Sequence, residues 1–310
     1  MNEAEREAVA RDILRLKRDR RAVILAHNYQ RPEVQDIADY VGDSLGLSRQ
    51  AAATDRPVIV FCGVHFMAET AATLCPDRIV LLPDLKAGCP MADMITADQL
   101  REEKAAHPGA AVVAYVNTTA EVKALSDVCC TSANAVRVLR SIEPGREIIF
   151  VPDKNLAAYA SAQAGRPVIA WPGFCPTHHH WITQEAVARA RREHPEALVV
   201  VHPECNPEVV AMADHVASTT GMVRYARESP ARQFIIGTEE GLLHQLRKAC
   251  PDKAFYPAAP HPGMICPNMK TITLRKVRRA LETLQPQVTV PEPVRTRALA
   301  AIQRMLELGS

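Results

Sequence analysis

The chain has 310 residues, 47% of them hydrophobic and 23% charged, with a net charge of +2, an ordinary globular composition of a length that suggests about two domains. Charge so balanced gives no whole-chain bias toward nucleic acid or anionic membrane, and no apolar run approaches the ~18 residues of a membrane span. The N-terminal MNEAEREAVARDILRLKRDR is too charged for a secretory signal and reads as an amphipathic helix, so the expected location is cytoplasmic and the nine cysteines are expected to be thiols or metal ligands.

After that helix the chain enters VILAHNYQRPEVQDIADYVGDS from Val23. This reads as a strand, a helix and a short strand, with Ser44 opening the next helix. VIVFCG is a strand before a helical pattern around Met67, and RIVLLPD is a last strand that runs on to a Cys-Pro pair at Cys89. The same order then recurs. VVAYVNTTAEVKALSDVCCTS from Val112 is followed by EIIFVP, a helix around Leu156, RPVIAWPG and Cys175. LVVVHPECNPEVVAMAD from Leu198 is followed by QFIIGT, a helix around Leu242, AFYPAAP and Cys266. Aligned without gaps, Glu33, Glu121 and Glu208 coincide, as do Val34, Val122 and Val209, and then Asp39, Asp127 and Asp214. Each copy closes on a hydroxyl, at Ser44, Ser132 and Thr219.

Strands alternating with helices argue for parallel sheets covered on both faces. The expected fold is therefore α/β, three similar αβα domains with parallel sheets around a pseudo-threefold axis. The expected divisions are 1–107 with the N-terminal helix, 108–194, 195–271, and C-terminal helices over 272–310 that pack on the first domain. Right-handed crossovers put all strand C-terminal ends of a sheet on one edge, where such sheets bind ligands. His27, Tyr115 and His202 follow the first strand of their copies. Ser44, Ser132 and Thr219 follow the second, and the cysteines follow the last.

Cys89, Cys175 and Cys266 are the cysteines that recur, whereas Cys62, Cys75, Cys205 and Cys250 do not. Three thiolates meeting at one point suit an iron–sulfur cluster better than structural zinc, which wants four closed ligands. A cubane on three thiolates leaves one iron open as a Lewis acid. Ser44, Ser132 and Thr219 read as helix N-caps, and helix N-termini aimed at one cavity also favour phosphate or carboxylate. His202 and Glu204 stand where a zinc deaminase carries H-x-E, but the downstream P-C-x-x-C of that site is absent. They read as acid–base groups beside a cluster, alongside His27, Tyr29, Tyr115 and Asn117. Of His178, His179 and His180, His178 is the one placed by its loop to face the cluster. Lys270 reads as a solvated lysine or an anion contact.

The motifs AHNYQ, GDSLGLS, AGCPMADM, AYVNTTAEVKA, CTSANA, GFCPTHH, HPEC, STTGM and the Cys266 loop run nearly end to end, and on them the chain resembles the quinolinate synthase family. The resemblance implies one [4Fe–4S] cluster per chain on Cys89, Cys175 and Cys266. It implies condensation of iminoaspartate with dihydroxyacetone phosphate to quinolinate, a transferase reaction that releases phosphate and water. It also implies substrate contacts from His27, Ser44, Tyr115, Asn117, Ser132, His202, Glu204 and Thr219, with proton transfer by Glu204, Tyr29 and His202. It allows a transient contact with the L-aspartate oxidase or dehydrogenase that makes iminoaspartate. Two other readings fit less well. A different iron–sulfur hydro-lyase would differ in product, and an iron–sulfur sensor would not need His202-x-Glu204 beside three anion caps.

Overall fold

The computed structural model describes residues 1–309. The first unit runs α1 (Glu3–Asp19), β1 (Ala22–His27), α2 (Pro32–Asp36), β2 (Tyr40–Gly42), α3 (Ser44–Ala53), β3 (Val58–Cys62), α4 (His65–Leu74), β4 (Ile79–Leu81) and α5 (Ala97–Ala106). The second runs β5 (Ala111–Tyr115), α6 (Ala120–Lys123), β6 (Val128–Cys130), α7 (Ala135–Ser141), β7 (Ile148–Val151), α8 (Lys154–Ala164), β8 (Ile169–Ala170), α9 (Pro176–Trp181) and α10 (Gln184–Glu193). The third runs β9 (Leu198–Val201), α11 (Pro207–Val210), β10 (His215–Val216), α12 (Thr219–Glu228), β11 (Gln233–Gly237), α13 (Leu242–Ala249) and β12 (Ala254–Pro257), and α14 (Leu274–Thr283) and α15 (Glu292–Leu308) close the chain.

Three all-parallel four-stranded sheets result, ordered β2-β1-β3-β4, β6-β5-β7-β8 and β10-β9-β11-β12. Each repeat column has a local cause. Val34, Val122 and Val209 are buried in the core. Glu33, Glu121 and Glu208 lie in the first turns of α2, α6 and α11, where the helix dipole favours an acid. Asp39, Asp127 and Asp214 each accept, at 2.7–2.8 Å, the amide of Ile24, Val112 or Val199, a strand residue 15 positions earlier. Each also donates its own amide back to that residue's carbonyl. The aspartate thus pins the second strand of each sheet beside the first.

A further repeated bond holds the cysteine loops. The amides of His65, Lys154 and Glu240 donate to the carbonyls of Ala87, Gly173 and Met264, at 2.7, 2.8 and 3.0 Å. Each acceptor lies two residues before a repeated cysteine. The first and second units share one continuous apolar core with α1, α14 and α15, while the third sheet has its own cluster on each face. The segment after Thr271 divides: α14 packs on α1 and β3, but α15 lies against α6, α7 and β6 of the second unit as well as α4 of the first. The expectation that this whole segment packs on the first domain is corrected to that extent. α15 buries Ala298, Ala301, Ile302 and Met305, a face that fills the junction between two units. Among the described residues, no helix is long and apolar enough to cross a membrane.

Candidate active site

The C-terminal edges of all three sheets border one cavity of about 150 Å³. His27 ends β1 and Tyr115 ends β5, and His202 follows β9. Tyr29, Asn117 and Glu204 stand two residues beyond them. All six line the cavity, as do Ser44, Ser132, Thr219, Cys89, Cys175 and Cys266. The structure therefore gathers every site residue expected from the sequence.

The helix caps need correction. Ser44 and Thr219 are the first residues of α3 and α12, and the caps are the residues before them. Asp43 accepts from the Gly46 amide, and Ser218 accepts from the Gly221 amide. Asp43 and Ser218 have the extended backbone of a cap, and sequence does not choose between two adjacent good caps. The Ser218 hydroxyl also donates to Asp43 Oδ2 at 3.1 Å, and Asn28 Nδ2 donates to Thr219 Oγ1 at 2.8 Å, which ties the first unit to the third. Ser132 caps nothing; it lies in the turn before Asn134, which precedes α7, and its Oγ lies 3.1 Å from His202 Nε2.

The two histidines share a geometry. The Tyr29 amide donates to His27 Nδ1 at 3.2 Å, and the Glu204 amide donates to His202 Nδ1 at 3.3 Å. Both Nδ1 atoms are acceptors, so in each neutral ring the proton sits on Nε2, where His202 can donate to Ser132. Burial lowers both rings to a pKa of about 3, which keeps them neutral at physiological pH.

Glu204 is the centre of the network. It accepts from Tyr115 Oη at 2.6 Å, and its Oε2 lies 2.8 Å from His178 Nδ1. Burial alone would raise this carboxyl, but charge on His202 and His178 and the hydrogen bonds from His178 and Tyr115 outweigh it and lower it to about 2. At neutral pH, where His202 is uncharged, the two hydrogen bonds are what favour the carboxylate. His178 Nε2 lies 2.9 Å from Thr238 Oγ1, which lies 2.5 Å from Tyr29 Oη. One assignment satisfies every pair: Tyr29 donates to Thr238, Thr238 to His178 Nε2, and His178 Nδ1–H to Glu204, whose other oxygen accepts from Tyr115. Burial, then the Glu204 charge, raises both tyrosines well above the usual phenol range, so both hold their protons. Asn117 Oδ1 is buried without a hydrogen-bond partner, an acceptor left open at the cavity wall.

The sequence reading did not anticipate Thr238, and it placed His178 only by the proximity of its loop. A signal for Thr238 was present: it follows β11, the third strand of its copy, and so reaches the same sheet edge. His179 is half-buried against Phe174, and His180 is exposed. Cys62, Cys75, Cys129, Cys130, Cys205 and Cys250 are buried in the packed core.

The three repeated cysteines form a set of soft donors on a mostly enclosed wall. Burial raises the Cys89 thiol to about 12 and the Cys266 thiol to about 11, and lifts the Cys175 thiol well above its ordinary range. As bare thiols they stay protonated, and only a cationic partner would make them thiolates. Backbone amides already face the sulfurs: those of Met91 and Ala92 at Cys89, of His178 at Cys175, and of Asn268 and Met269 at Cys266. Thiols in this arrangement fit a three-thiolate cluster. Cys175, His178 and Glu204 also bring one donor atom each within 4.8 Å of one another, a group able to hold a metal ion. However, His178 Nδ1 and Glu204 Oε2 are 2.8 Å apart, a hydrogen bond, whereas ligands ~2.1 Å from a tetrahedral zinc would stand ~3.4 Å apart. We read this pair as bonded to each other.

Comparison with known proteins shows the family. The family profile described as Quinolinate synthetase A protein matches residues 11–307. A protein of Desulforudis audaxviator named quinolinate synthase is 62% identical over 297 residues, covering 96% of this chain and 97% of its own. Proteins of that name from Thermodesulfovibrio yellowstonii and Methanoregula boonei are each 59% identical, again over 96% of this chain and at least 97% of their own.

Proposed function

Because the chain belongs to the quinolinate synthase family, we propose that it condenses iminoaspartate with dihydroxyacetone phosphate to quinolinate, releasing phosphate and water, as a cytoplasmic transferase. The observation that carries this reading is the convergence of one cysteine from each of three units on a cavity also lined by Tyr29, His178, Glu204 and Tyr115, which Thr238 joins into one hydrogen-bonded chain. Cys89, Cys175 and Cys266 would hold a [4Fe–4S] cluster, one per chain. When bound, the cluster supplies an iron without a protein ligand, able to polarise a hydroxyl or carbonyl oxygen.

The chain's own residues supply the rest. Both substrates are anions. The first amides of α3 and α12, at Ser44 and Thr219, are positive dipole ends on the cavity wall. Neutral His27 and His202 can offer Nε2–H, Ser132 its hydroxyl, and Asn117 the free acceptor Oδ1. Ring formation requires an imine, a carbon–carbon bond and loss of water, and each dehydration moves a proton. Glu204, held ionised, is the group in the cavity poised to accept one. His178 and Thr238 connect Glu204 to Tyr29. The resting bonds point toward the carboxylate, so a proton taken at Glu204 is returned at the tyrosine once the chain reverses, with Glu204 donating to His178 Nδ1, His178 Nε2–H to Thr238, Thr238 to Tyr29 and Tyr29 to the substrate. Enclosure keeps bulk water from the imine. An L-aspartate oxidase or dehydrogenase would deliver the imine through transient contact.

The test is anaerobic reconstitution of the protein with iron and sulfide, incubation with both substrates, and detection of pyridine-2,3-dicarboxylate by mass spectrometry. Product that requires both substrates and bound iron is expected. A fully loaded protein that forms none, or that dehydrates another acid instead, would overturn the assignment.

A further inference from the structure

We propose that Glu239, Lys270 and Gly241 form a positioning bridge that sets Cys266 against Tyr29 across the junction of the third and first units. The proposal rests on the reading of Cys266 as a cluster ligand.

Glu239 follows β11 and is completely buried. Its carboxylate takes three donors: the Cys266 amide at 3.1 Å, the Gly241 amide at 2.7 Å, and Lys270 Nζ at 2.8 Å. Lys270 Nζ also donates to the Tyr29 carbonyl at 2.6 Å, and Arg31 Nε donates to the Lys270 carbonyl at 2.8 Å. One carboxylate and one ammonium thus connect the backbone of Cys266 to the backbone of Tyr29. The Lys270 side chain is only 13% exposed, which corrects the expectation of a solvated or anion-binding lysine: its charge is matched inside the protein. Gly241 gives independent support. A Cβ there would lie 2.8 Å from each of Glu239 Oε2, Lys270 Nζ and the Tyr29 carbonyl carbon. Its φ of −57° is open to any residue, so the glycine answers to space and not to backbone conformation.

The repeat shows that this is an addition. All three units share the main-chain bond to the residue two before the cysteine. At the position of Glu239, the first unit has Val64, which offers no acceptor. The second has Asp153, whose Oδ1 caps α8 through the Asn155 and Leu156 amides and whose carboxylate also faces the Cys175 amide, as Glu239 faces that of Cys266. What the third unit adds is Lys270, which carries that carboxylate's hold on the cysteine loop across to the Tyr29 carbonyl. Glu239 and Lys270 act as positioning residues: a shift of either changes where one thiolate and one phenol stand relative to each other.

The experiment compares the wild type with Lys270→Gln, Lys270→Arg and Gly241→Ala, all kept anaerobic. Alkylation rates of Cys89, Cys175 and Cys266 are read by mass spectrometry in the cluster-free chain, and loss of iron to a chelator is followed in the reconstituted one. Neither Lys270 nor Gly241 is proposed to touch a sulfur. Gly241→Ala should speed alkylation of Cys266 by about tenfold, the order that one charge-assisted hydrogen bond supplies, and Lys270→Gln by less, because losing the ammonium also raises the Cys266 thiol. Cys89 and Cys175 should keep their rates, reconstituted iron should leave faster, and Lys270→Arg should largely restore both. Equal acceleration at all three cysteines, or none at Cys266, would overturn the bridge. If Lys270→Gln does not fold, Gly241→Ala decides, since it changes no charge. A wild type that binds no cluster would sink the cluster reading, while the alkylation pattern would still judge the bridge.

Discussion

Replacing Glu204 by Gln tests the centre of the site. The substitution keeps the shape but removes the charge that accepts from Tyr115 at 2.6 Å and from His178 at 2.8 Å. A hydrogen bond to a charged group contributes ~1.5–3 kcal/mol and a neutral one ~0.5–1.5, so exchanging two of the first kind for two of the second removes ~2–3 kcal/mol. Against that, Glu204 is only 3% exposed, and a buried carboxylate is costly to desolvate. The two effects oppose each other, so the melting temperature at neutral pH should change little. The pH dependence should change more. A carboxyl lowered from 4.5 to about 2 contributes stability that is complete above pH 4.5 and lost as pH falls toward 2. The variant should lack that component. Turnover should fall by ~10²–10⁴, the usual share of general acid–base catalysis, with iron content unchanged. The assay is anaerobic steady-state kinetics with iron analysis and thermal melts at pH 7 and pH 3. Near-normal turnover at full iron content would refute the proton-transfer role, and lost iron would make Glu204 a ligand.

Cys89→Ser, Cys175→Ser and Cys266→Ser should each abolish the visible absorption of the reconstituted cluster, while Cys62→Ser and Cys250→Ser retain it; iron and sulfide analysis checks this. Ser132→Ala removes a hydroxyl beside His202 Nε2 and should weaken substrate binding about tenfold. Because Ser132 caps no helix, its melting temperature should barely move, and a large drop with unchanged kinetics would make the hydroxyl merely structural. His27 is lowered from 6.5 to about 3 by burial. The unfolded chain therefore binds a proton below pH 6.5 that the folded one refuses, and stability falls as pH drops from 6.5 toward 3. His27→Gln should flatten that slope by up to ~1.4 kcal/mol per pH unit, seen in urea melts across the range.

The repeat was legible in the sequence because each of its columns answers to a nearby cause. A valine fills the core of its own unit, a glutamate sits on the first turn of its own helix, and an aspartate bonds a strand 15 residues back. Sheet topology and the shared edge follow from such local rules, which is why the cavity residues could be named before any coordinates. The caps show the limit: Asp43-Ser44 and Ser218-Thr219 each offer two candidates, and only the backbone dihedrals choose.

What the sequence determined by itself was the order of elements, the threefold likeness and the set of side chains at the strand ends. Only the tertiary structure decided how those side chains connect. That His178 rather than its neighbours meets Glu204 depends on the turn of α9 and on a loop from the third unit. Thr238 gains its place from Tyr29 of the first unit and His178 of the second. Lys270 faces a buried carboxylate because the segment after Cys266 folds back beneath the Tyr29 loop. The Tyr29–Thr238, His178–Thr238, His178–Glu204 and Lys270–Tyr29 bonds join residues of different units across distances of 2.5–2.9 Å, and a hydrogen bond that short is fixed by the packing of whole units, to which no local pattern of residues responds.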